Sequence, residues 1–330
     1  MKSLFSSYRW LIAVLCAAVV VPALHAQQDI PPAPSAQSNG SSVVVNPNFP
    51  KPSPSDFTAT SPTADQVNAF LKATWGYDQN RLFQVQRILK TVVPGISNVI
   101  VLVGTRGNAQ ISALQFFTTP DGKHLITGGE ILPFGGRPYD ENRAVLLSRA
   151  TGPWKGSASH DLLLVEFADF QCPHCKAAEP TMEKLATDFP NAHIVFQNFP
   201  LVNVHPYAFR AAAYGVCVAQ LGGNAAFFKF DKAVFDGQAG MTNDDGATLT
   251  LNSAVTAAGL SPDKVQACST TPATKATIDS QVKLAQDLAV NQTPTLAING
   301  RLIPLGGVPY DVLKQIITYQ AQMDAPAPKQ

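Results

Sequence analysis

The stretch FADFQCPHCKAAEP, residues 167–180, decides the fold of this chain, because it places two cysteines three positions apart where a strand gives way to a helix. The apolar run DLLLVEFADF, residues 161–170, is typical of a buried central strand. Residues 173–189 have helical periodicity, and HIVFQNF at 193–199 predicts a second strand. The order strand, helix, strand predicts that the two strands pair in parallel.

The pair Cys172 and Cys175 is predicted to be redox-active. At a helix N-terminus, Cys172 faces unpaired backbone N–H groups and the positive end of the helix dipole, and both stabilise a thiolate. Pro173 suits the first helical turn, where its missing N–H costs nothing, and His174 adds a positive charge or a hydrogen bond beside the sulfur. We therefore expect a lowered pKa for Cys172, the more exposed cysteine, which attacks, while Cys175 resolves the mixed disulfide.

Two other chemistries stay open for this pair. The two cysteines could form half of a zinc site, but Cys217 and Cys268 are 51 positions apart and supply no second close pair. A reduced Cys-x-x-Cys also suits cuprous copper, which prefers soft thiolate ligands. Our interpretation is a redox centre that holds no metal and needs no cofactor.

The N-terminus predicts export. Lys2 and Arg9 precede the apolar run WLIAVLCAAVVVPAL, and the small residue Ala26 follows it, so residues 1–26 are interpreted as a cleaved signal peptide. A retained membrane anchor is the less favoured alternative, because the run is shorter than the roughly 20 residues of a spanning helix. Removing these residues changes the net charge from +1 to −1 and leaves four cysteines, an even number that favours disulfides outside the cytosol. This near-neutral charge gives no basic surplus for a nucleic-acid partner.

The chain between the signal peptide and the first apolar strand divides into three segments. Residues 27–57 are rich in Pro, Ser and Asn and are predicted to be a flexible linker. Residues 58–150 predict a small α+β domain, which begins with two helical pieces over 63–89. Strands follow in SNVIVLVGTR and AQISALQFFTT, and the turn signal PDG precedes a hairpin. Residues 151–160 are predicted to be a second linker.

Beyond the two predicted strands at the cysteines the chain becomes helical and then returns to strand. Residues 206–290 predict several helices separated by Gly, Asn and Asp. The segments TPTLAING and RLIPL resume the sheet, PYDVLKQIITYQAQM predicts a final amphipathic helix, and residues 323–330 are predicted to be a flexible tail.

The motifs of residues 155–322, taken in their order along the chain, resemble those of the DsbA-like thiol:disulfide oxidoreductases of the thioredoxin superfamily. Cys-Pro-His-Cys is the active-site tetrapeptide of that family, and the helical segment matches its insertion. The resemblance implies an α/β, thioredoxin-like fold with an all-helical insertion, preceded here by the small α+β domain. It also implies that Glu166, six residues before Cys172, is the buried acid that assists proton transfer near Cys175. The alternative for Glu166 is a surface acid at a strand edge.

Further expectations rest on the same resemblance. TPT at 293–295 matches the loop that places a cis-proline against the disulfide, so Pro294 is expected to be cis and Thr293 to be its partner. Some DsbA-like proteins carry a structural disulfide in the helical insertion, which implies a bond between Cys217 and Cys268. Two separate buried thiols are the alternative. The hairpin PDGKHLITGGEI is similar to part of the N-terminal dimerisation domains of DsbC- and DsbG-type isomerases.

The sequence therefore predicts an exported, periplasmic thiol:disulfide oxidoreductase. We expect disulfide donation rather than isomerisation, because a stabilised thiolate makes the enzyme's own disulfide easy to reduce. The expected partners are unfolded or reduced exported proteins and a membrane redox protein. The alternatives are a homodimeric isomerase or reductase of the DsbC or DsbG type, a non-catalytic chaperone, and a copper-binding module.

Overall fold

The computed structural model describes residues 46–325, so the predicted signal peptide, residues 27–45 of the predicted linker and residues 326–330 of the predicted tail lie outside the described part. The strands are β1 Arg81–Lys90, β2 Ser97–Thr105, β3 Ile111–Thr118, β4 His124–Thr127, β5 Glu130–Pro133, β6 Trp154–Gly156, β7 Leu162–Ala168, β8 Ala192–Asn198, β9 Thr295–Ile298 and β10 Arg301–Pro304. The α-helices are α1 Ala64–Trp75, α2 Asp140–Arg149, α3 Pro173–Asp188, α4 Ala208–Gly237, α5 Asp244–Ala257, α6 Pro262–Ser269, α7 Pro272–Asp287 and α8 Tyr310–Asp324.

The first sheet is antiparallel throughout and follows sequence order, β1-β2-β3-β4-β5. Helix α1 buries Val67 and Leu71 against apolar side chains of this sheet, including Val99 and Phe116. The strands predicted in SNVIVLVGTR and AQISALQFFTT and the hairpin after the PDG turn are confirmed.

The second helical piece predicted within residues 63–89 is wrong, because residues 81–90 form strand β1. A bulge shifts the register of β1 against β2 between Val85 and Arg87. The extra residue places the two buried side chains of β1, Val85 and Ile88, three positions apart, which imitates helical spacing. Pairing with β2, a contact distant in sequence, therefore overrides the local pattern.

Part of the predicted flexible linker is packed against the first sheet. The backbone N–H of Gly107 donates to Asn46 Oδ1 at 3.2 Å, and Gln84 Nε2 donates to the carbonyl oxygen of Pro50 at 2.6 Å. Phe57 forms a parallel bridge with Ile88. The expectation of a flexible segment is therefore wrong for residues 46–57, whose polar groups pair with the sheet.

The second sheet has the order β10-β9-β7-β8-β6. Strands β7 and β8 are parallel, which confirms the pairing predicted from the strand, helix, strand order, and β9 runs antiparallel to β7. Strand β6 pairs with β8 inside the segment predicted to be a linker, so residues 154–156 form an edge strand instead. Trp154 packs against the core of this sheet, which explains why the segment is ordered as a strand.

Helices α4 to α7 are inserted between β8 and β9, as the helical pattern of residues 206–290 predicted. Helix α4 consists of two helical pieces joined at Gly223, whose φ of 73° lies in the left-handed region that favours glycine. Among the described residues, the segment Ala208–Gly240 is the one helix long and apolar enough to cross a membrane, and 56% of its most apolar window is buried within the protein. Its aromatic residues Phe227, Phe230 and Phe235 pack into the core.

Helix α8 extends two residues into the predicted tail. Asp324 at its end accepts a hydrogen bond from Asn299 Nδ2 at 2.8 Å and lies 3.3 Å from Arg137 Nη2. The predicted start of the flexible tail at residue 323 is therefore wrong, because these polar contacts hold the end of the helix in place.

Candidate active site

The cysteine pair lies where β7 leads into α3. Cys172 occupies the N-cap position of α3 and Pro173 is its first residue, so the helix begins inside the Cys-x-x-Cys motif. The two cysteines are not bonded to each other in this structure. Pro173 and His174 are exposed.

Both cysteines are buried, and the greater exposure expected for Cys172 is small. Its residue is 3% exposed, against 0% for Cys175. The loop before β9 and the helical insertion cover it: Cys172 Sγ lies 3.6 Å from the carbonyl oxygen of Thr293, and Gln238 Nε2 donates to the Cys172 carbonyl oxygen at 2.9 Å. The peptide bond between Thr293 and Pro294 is cis, the isomer named in the sequence analysis.

The surroundings of the two cysteines shift their pKa values in opposite directions. A hydrogen bond from Cys175 is the largest of the effects that lower the pKa of Cys172 from 9.0 to about 5, and the Thr293 side chain and the backbone N–H groups of Cys175 and His174 add to it against the opposing effect of burial. Burial raises the pKa of Cys175 far above its ordinary value, and its hydrogen bond to Cys172 raises it further. The site therefore favours a thiolate at Cys172 and a protonated thiol at Cys175.

Glu166 lies in the buried centre of the sheet. The residue is 5% exposed, so the alternative of a surface acid is wrong. Burial, followed by the charge of Glu179, raises the pKa of Glu166 to about 8, while Lys155 opposes the shift. Its Oε1 atom has no hydrogen-bond partner. A carboxyl group in this state holds a proton at neutral pH, as proton transfer to a neighbouring thiolate requires.

The turn before Cys172 is fixed by Asp169, which the sequence analysis did not single out. Its Oδ2 atom accepts a hydrogen bond from the backbone N–H of Leu201 and lies 2.8 Å from His205 Nδ1, while Oδ1 accepts from the N–H of Gln171. The backbone N–H of Asp169 points to Cys175 Sγ at 3.4 Å. His205 is thus paired with a buried acid. The sequence signal that could have identified Asp169 is its place as an acidic residue directly after the buried strand β7.

The helical insertion also contacts the cysteine turn through a residue that the sequence analysis missed. Gln238 Nε2 donates to the carbonyl oxygens of Phe170 and Cys172, both at 2.9 Å. No sequence signal marks this residue, because the contact joins positions 66 and 68 residues apart.

The other two cysteines of the described part form a disulfide. It joins Cys217 on α4 to Cys268 on α6, with a Cα–Cα distance of 5.9 Å. This is the pair named in the sequence analysis, and the bond leaves neither sulfur available for a zinc site shared with Cys172.

The parallel β7-α3-β8 unit and the antiparallel β9-β10 pair define a protein of thioredoxin fold, with a dithiol at the start of α3. A profile described as thioredoxin matches residues 148–318, and the chain belongs to this family. The predicted membership of the thioredoxin superfamily is confirmed, and so is the predicted α/β fold with a helical insertion.

Similar proteins are found among curated sequences and solved structures. The chain is 45% identical over 58 residues to Na(+)/H(+) antiporter NhaA 1 of Salinispora arenicola, covering 18% of this chain and 9% of that protein. It is 30% identical over 169 residues to Na(+)/H(+) antiporter NhaA 1 of Mycolicibacterium vanbaalenii, covering 50% and 24%. A thioredoxin-like oxidoreductase from Silicibacter pomeroyi is 26% identical, with coverage of 55% and 98% and a TM-score of 0.46. The chain thus spans a quarter or less of these two antiporters.

Proposed function

We propose that this protein is an exported thiol:disulfide oxidoreductase that donates a disulfide to reduced or unfolded exported proteins. The observation that carries the proposal is the asymmetry between the cysteines, with the pKa of Cys172 lowered to about 5 and that of Cys175 raised. A thiol with a pKa near 5 is almost wholly ionised at neutral pH, which stabilises the reduced dithiol form. Stabilising the reduced form makes the protein's own disulfide oxidising, and this supports donation.

The exchange follows from these two environments. A substrate thiolate attacks Cys172 Sγ of the oxidised protein, a mixed disulfide forms, and the bond to Cys175 breaks. The sulfur of Cys175 leaves with the electron pair and takes up a proton. The buried Glu166, whose charge acts on Cys175, supplies that proton. A second substrate thiolate then attacks the substrate sulfur, releasing a substrate disulfide and the Cys172 thiolate.

Each cycle leaves the protein reduced by two electrons, so it needs an external acceptor. We assign this role to a membrane redox partner, since the predicted signal peptide at residues 1–26 directs the chain to the periplasm. Identifying the N-terminal residue of the protein recovered from the periplasm tests export. A first residue at position 27 is expected, and recovery of the intact chain from the cytosol would contradict it.

The test of the activity mixes the oxidised protein with a reduced, unfolded model protein in equal amounts without another oxidant. We expect the loss of two substrate thiols for each molecule of oxidised protein, and no loss with the Cys172→Ser variant. Equal oxidation by the wild type and this variant would overturn the proposal. Cys175→Ser serves as a second control: without Cys175 the variant has no disulfide to donate, so it should also leave the substrate thiols unchanged.

A specific observation favours disulfide isomerisation as the second candidate. The first sheet exposes the apolar side chains of Phe117, Ile131 and Leu132, with 37%, 67% and 39% of each residue accessible. A homodimer formed through this sheet would be the arrangement expected of a DsbC- or DsbG-type isomerase. Reactivation of a model enzyme with scrambled disulfides, lost on Ile131→Glu together with dimerisation, would favour isomerisation over donation.

A further inference from the structure

A group of carboxyl side chains lies beneath Cys175, on the side of the second sheet covered by α3. Side chains alternate along β7, so Glu166 shares its face with Leu164 and Ala168. Leu164 packs against α3, and Ala168 belongs to the same core cluster as Cys175. Glu166 is therefore directed into the layer between the sheet and the helices, next to the resolving cysteine.

A second buried acid, Asp231, enters this layer from the helical insertion. It lies on the buried face of α4, between Phe227 and Val234, and the residue is 4% exposed. Its Oδ1 atom has no hydrogen-bond partner. A buried, ionised carboxylate without full hydrogen bonding is strongly destabilising. The presence of an acid at position 231 therefore needs an explanation.

The charged groups around Asp231 come from three other elements. Glu166 faces it from β7, Glu179 and Glu183 from α3, and Lys155 from β6. Glu183 is exposed, whereas Glu179 is half-buried. Lys155 Nζ lies 4.7 Å from the centroid of the Phe228 ring on α4.

Among the described residues, Lys155 is the one ammonium group that acts on Glu166, Glu179 and Asp231 alike. Lys232 also acts on Glu179, but it is paired with Asp236 at 2.8 Å, whose charge opposes it. Lys155 can compensate one carboxylate charge, so a second and a third ionisation add uncompensated negative charge in a low-dielectric layer. The three carboxyls consequently titrate as a group, and the group retains protons to higher pH than a pair of carboxyls with the same lysine would.

We propose that Asp231 is a positioning residue for thiol–disulfide exchange, which acts with Glu179 through Glu166 to keep a proton available for the departing sulfur of Cys175. This inference rests on the proposed function and extends it from the cysteine motif to the helical insertion. In the exchange, Glu166 transfers its proton to the Cys175 sulfur and becomes a carboxylate. The proton of Asp231 or Glu179 then passes to Glu166, and the half-buried Glu179 exchanges protons with water.

The proton affinities of the group support this arrangement. Burial, together with the charges of Glu179 and Glu166, raises the pKa of Asp231 well above its ordinary value. Burial raises the pKa of Glu179 to about 7. All three carboxyls thus shift in the direction that favours retained protons.

The test compares the pH dependence of the reduction of the oxidised protein by a small dithiol in the wild type and Asp231→Asn. The substitution keeps the size of the side chain but removes a proton-holding site. We expect the high-pH limb of the rate profile to move down by about one pH unit, a loss of about tenfold in rate along that limb. Asp279→Asn, an exposed acid on α7 paired with Lys275, is the matched control and should follow the wild type.

A profile of Asp231→Asn that overlays that of the wild type would overturn the inference while leaving Cys172-dependent exchange intact. A loss of exchange in the wild type itself would instead overturn the proposed function. If the variant does not fold, infrared spectroscopy of the wild type decides. Protonated buried carboxyl bands at neutral pH that disappear at alkaline pH support the inference, and their absence at neutral pH overturns it.

Discussion

The protein contains two cysteine pairs in two regions, and their surroundings differ in nearly every respect. Cys172 and Cys175 are free thiols at the first turn of α3, beside a cis peptide bond and a buried acid. Cys217 and Cys268 are bonded to each other across two helices of the insertion. The first pair lies at a helix N-terminus that stabilises a thiolate, whereas the second joins the buried Cys217 to the half-buried Cys268, and both sulfurs lie near the Thr274 hydroxyl.

The difference shows that the surroundings of a cysteine, and not the residue itself, decide between exchange and structural support. The hydrogen bond from Cys175, with the backbone N–H groups of Cys175 and His174 at the start of α3, lowers the pKa of Cys172, which makes its sulfur reactive. The bond between Cys217 and Cys268 closes a loop whose ends are 51 residues apart and so restricts the unfolded chain. The predictions below separate these two roles.

Replacing the second pair should produce the largest change in stability. For Cys217→Ala combined with Cys268→Ala, we expect a loss of about 4 kcal/mol in the free energy of unfolding, because a closed loop of this length is released in the unfolded state. Urea unfolding measures the loss, and the reaction of Cys172 with a thiol reagent should be unchanged under conditions where the variant is folded. A loss of Cys172 reactivity in the folded variant would break the separation of the two pairs.

Replacing the buried acid should stabilise the protein while it weakens exchange. The folded-state pKa of Glu166, about 8, lies above its ordinary value of 4.5, so its contribution is fully present at low pH and is lost as the pH rises from about 4.5 to 8. We expect Glu166→Gln to be more stable than the wild type at pH 7, by on the order of 2–3 kcal/mol. The advantage should vanish near pH 4.

Unfolding measured across this pH range checks the prediction, with the exposed Glu183→Gln as the matched control. Parallel stability curves for Glu166→Gln and the wild type would show that Glu166 does not hold a proton in the folded protein. The buried acid of the active site would then not lower the stability of the protein at neutral pH. The active site and the structural disulfide would no longer differ in this respect.

A smaller effect is expected from the glutamine that joins the insertion to the cysteine turn. Gln238→Ala removes two hydrogen bonds to the carbonyl oxygens of Phe170 and Cys172, and we expect a loss of about 1–2 kcal/mol in the free energy of unfolding. Thermal unfolding measures this loss. The exposed Gln266→Ala is the control, and equal losses in both variants would mean that the contact with the turn contributes nothing.

The sequence predicted the elements whose signals are local. The apolar run of β7, the helical period of α3 and the Cys-Pro-His-Cys tetrapeptide predicted the central unit and its reactive pair. The same reasoning failed at β1, where a bulge gave a strand the spacing of a helix. It also missed β6, because three residues at a sheet edge carry no periodic pattern.

The polar surroundings of the site were harder to predict, because they are assembled from distant segments. Gln238 and His205 contact the cysteine turn from the chain that follows β8, and Asp231 lies among the buried acids from the same part of the chain. No spacing in the sequence predicts such contacts. Asp231 did leave one signal, since it is an acid at a position that falls on the apolar face formed by Phe227 and Val234.

The central claim is that the surroundings of Cys172 hold it as a thiolate. A titration of the reduced protein, followed by the ultraviolet absorbance of the thiolate, tests this claim most directly, with Cys172→Ser as the blank. We predict a transition with a pKa near 5 that is absent in the variant. A transition near the ordinary thiol value of 9.0, or one that persists in Cys172→Ser, would contradict the account.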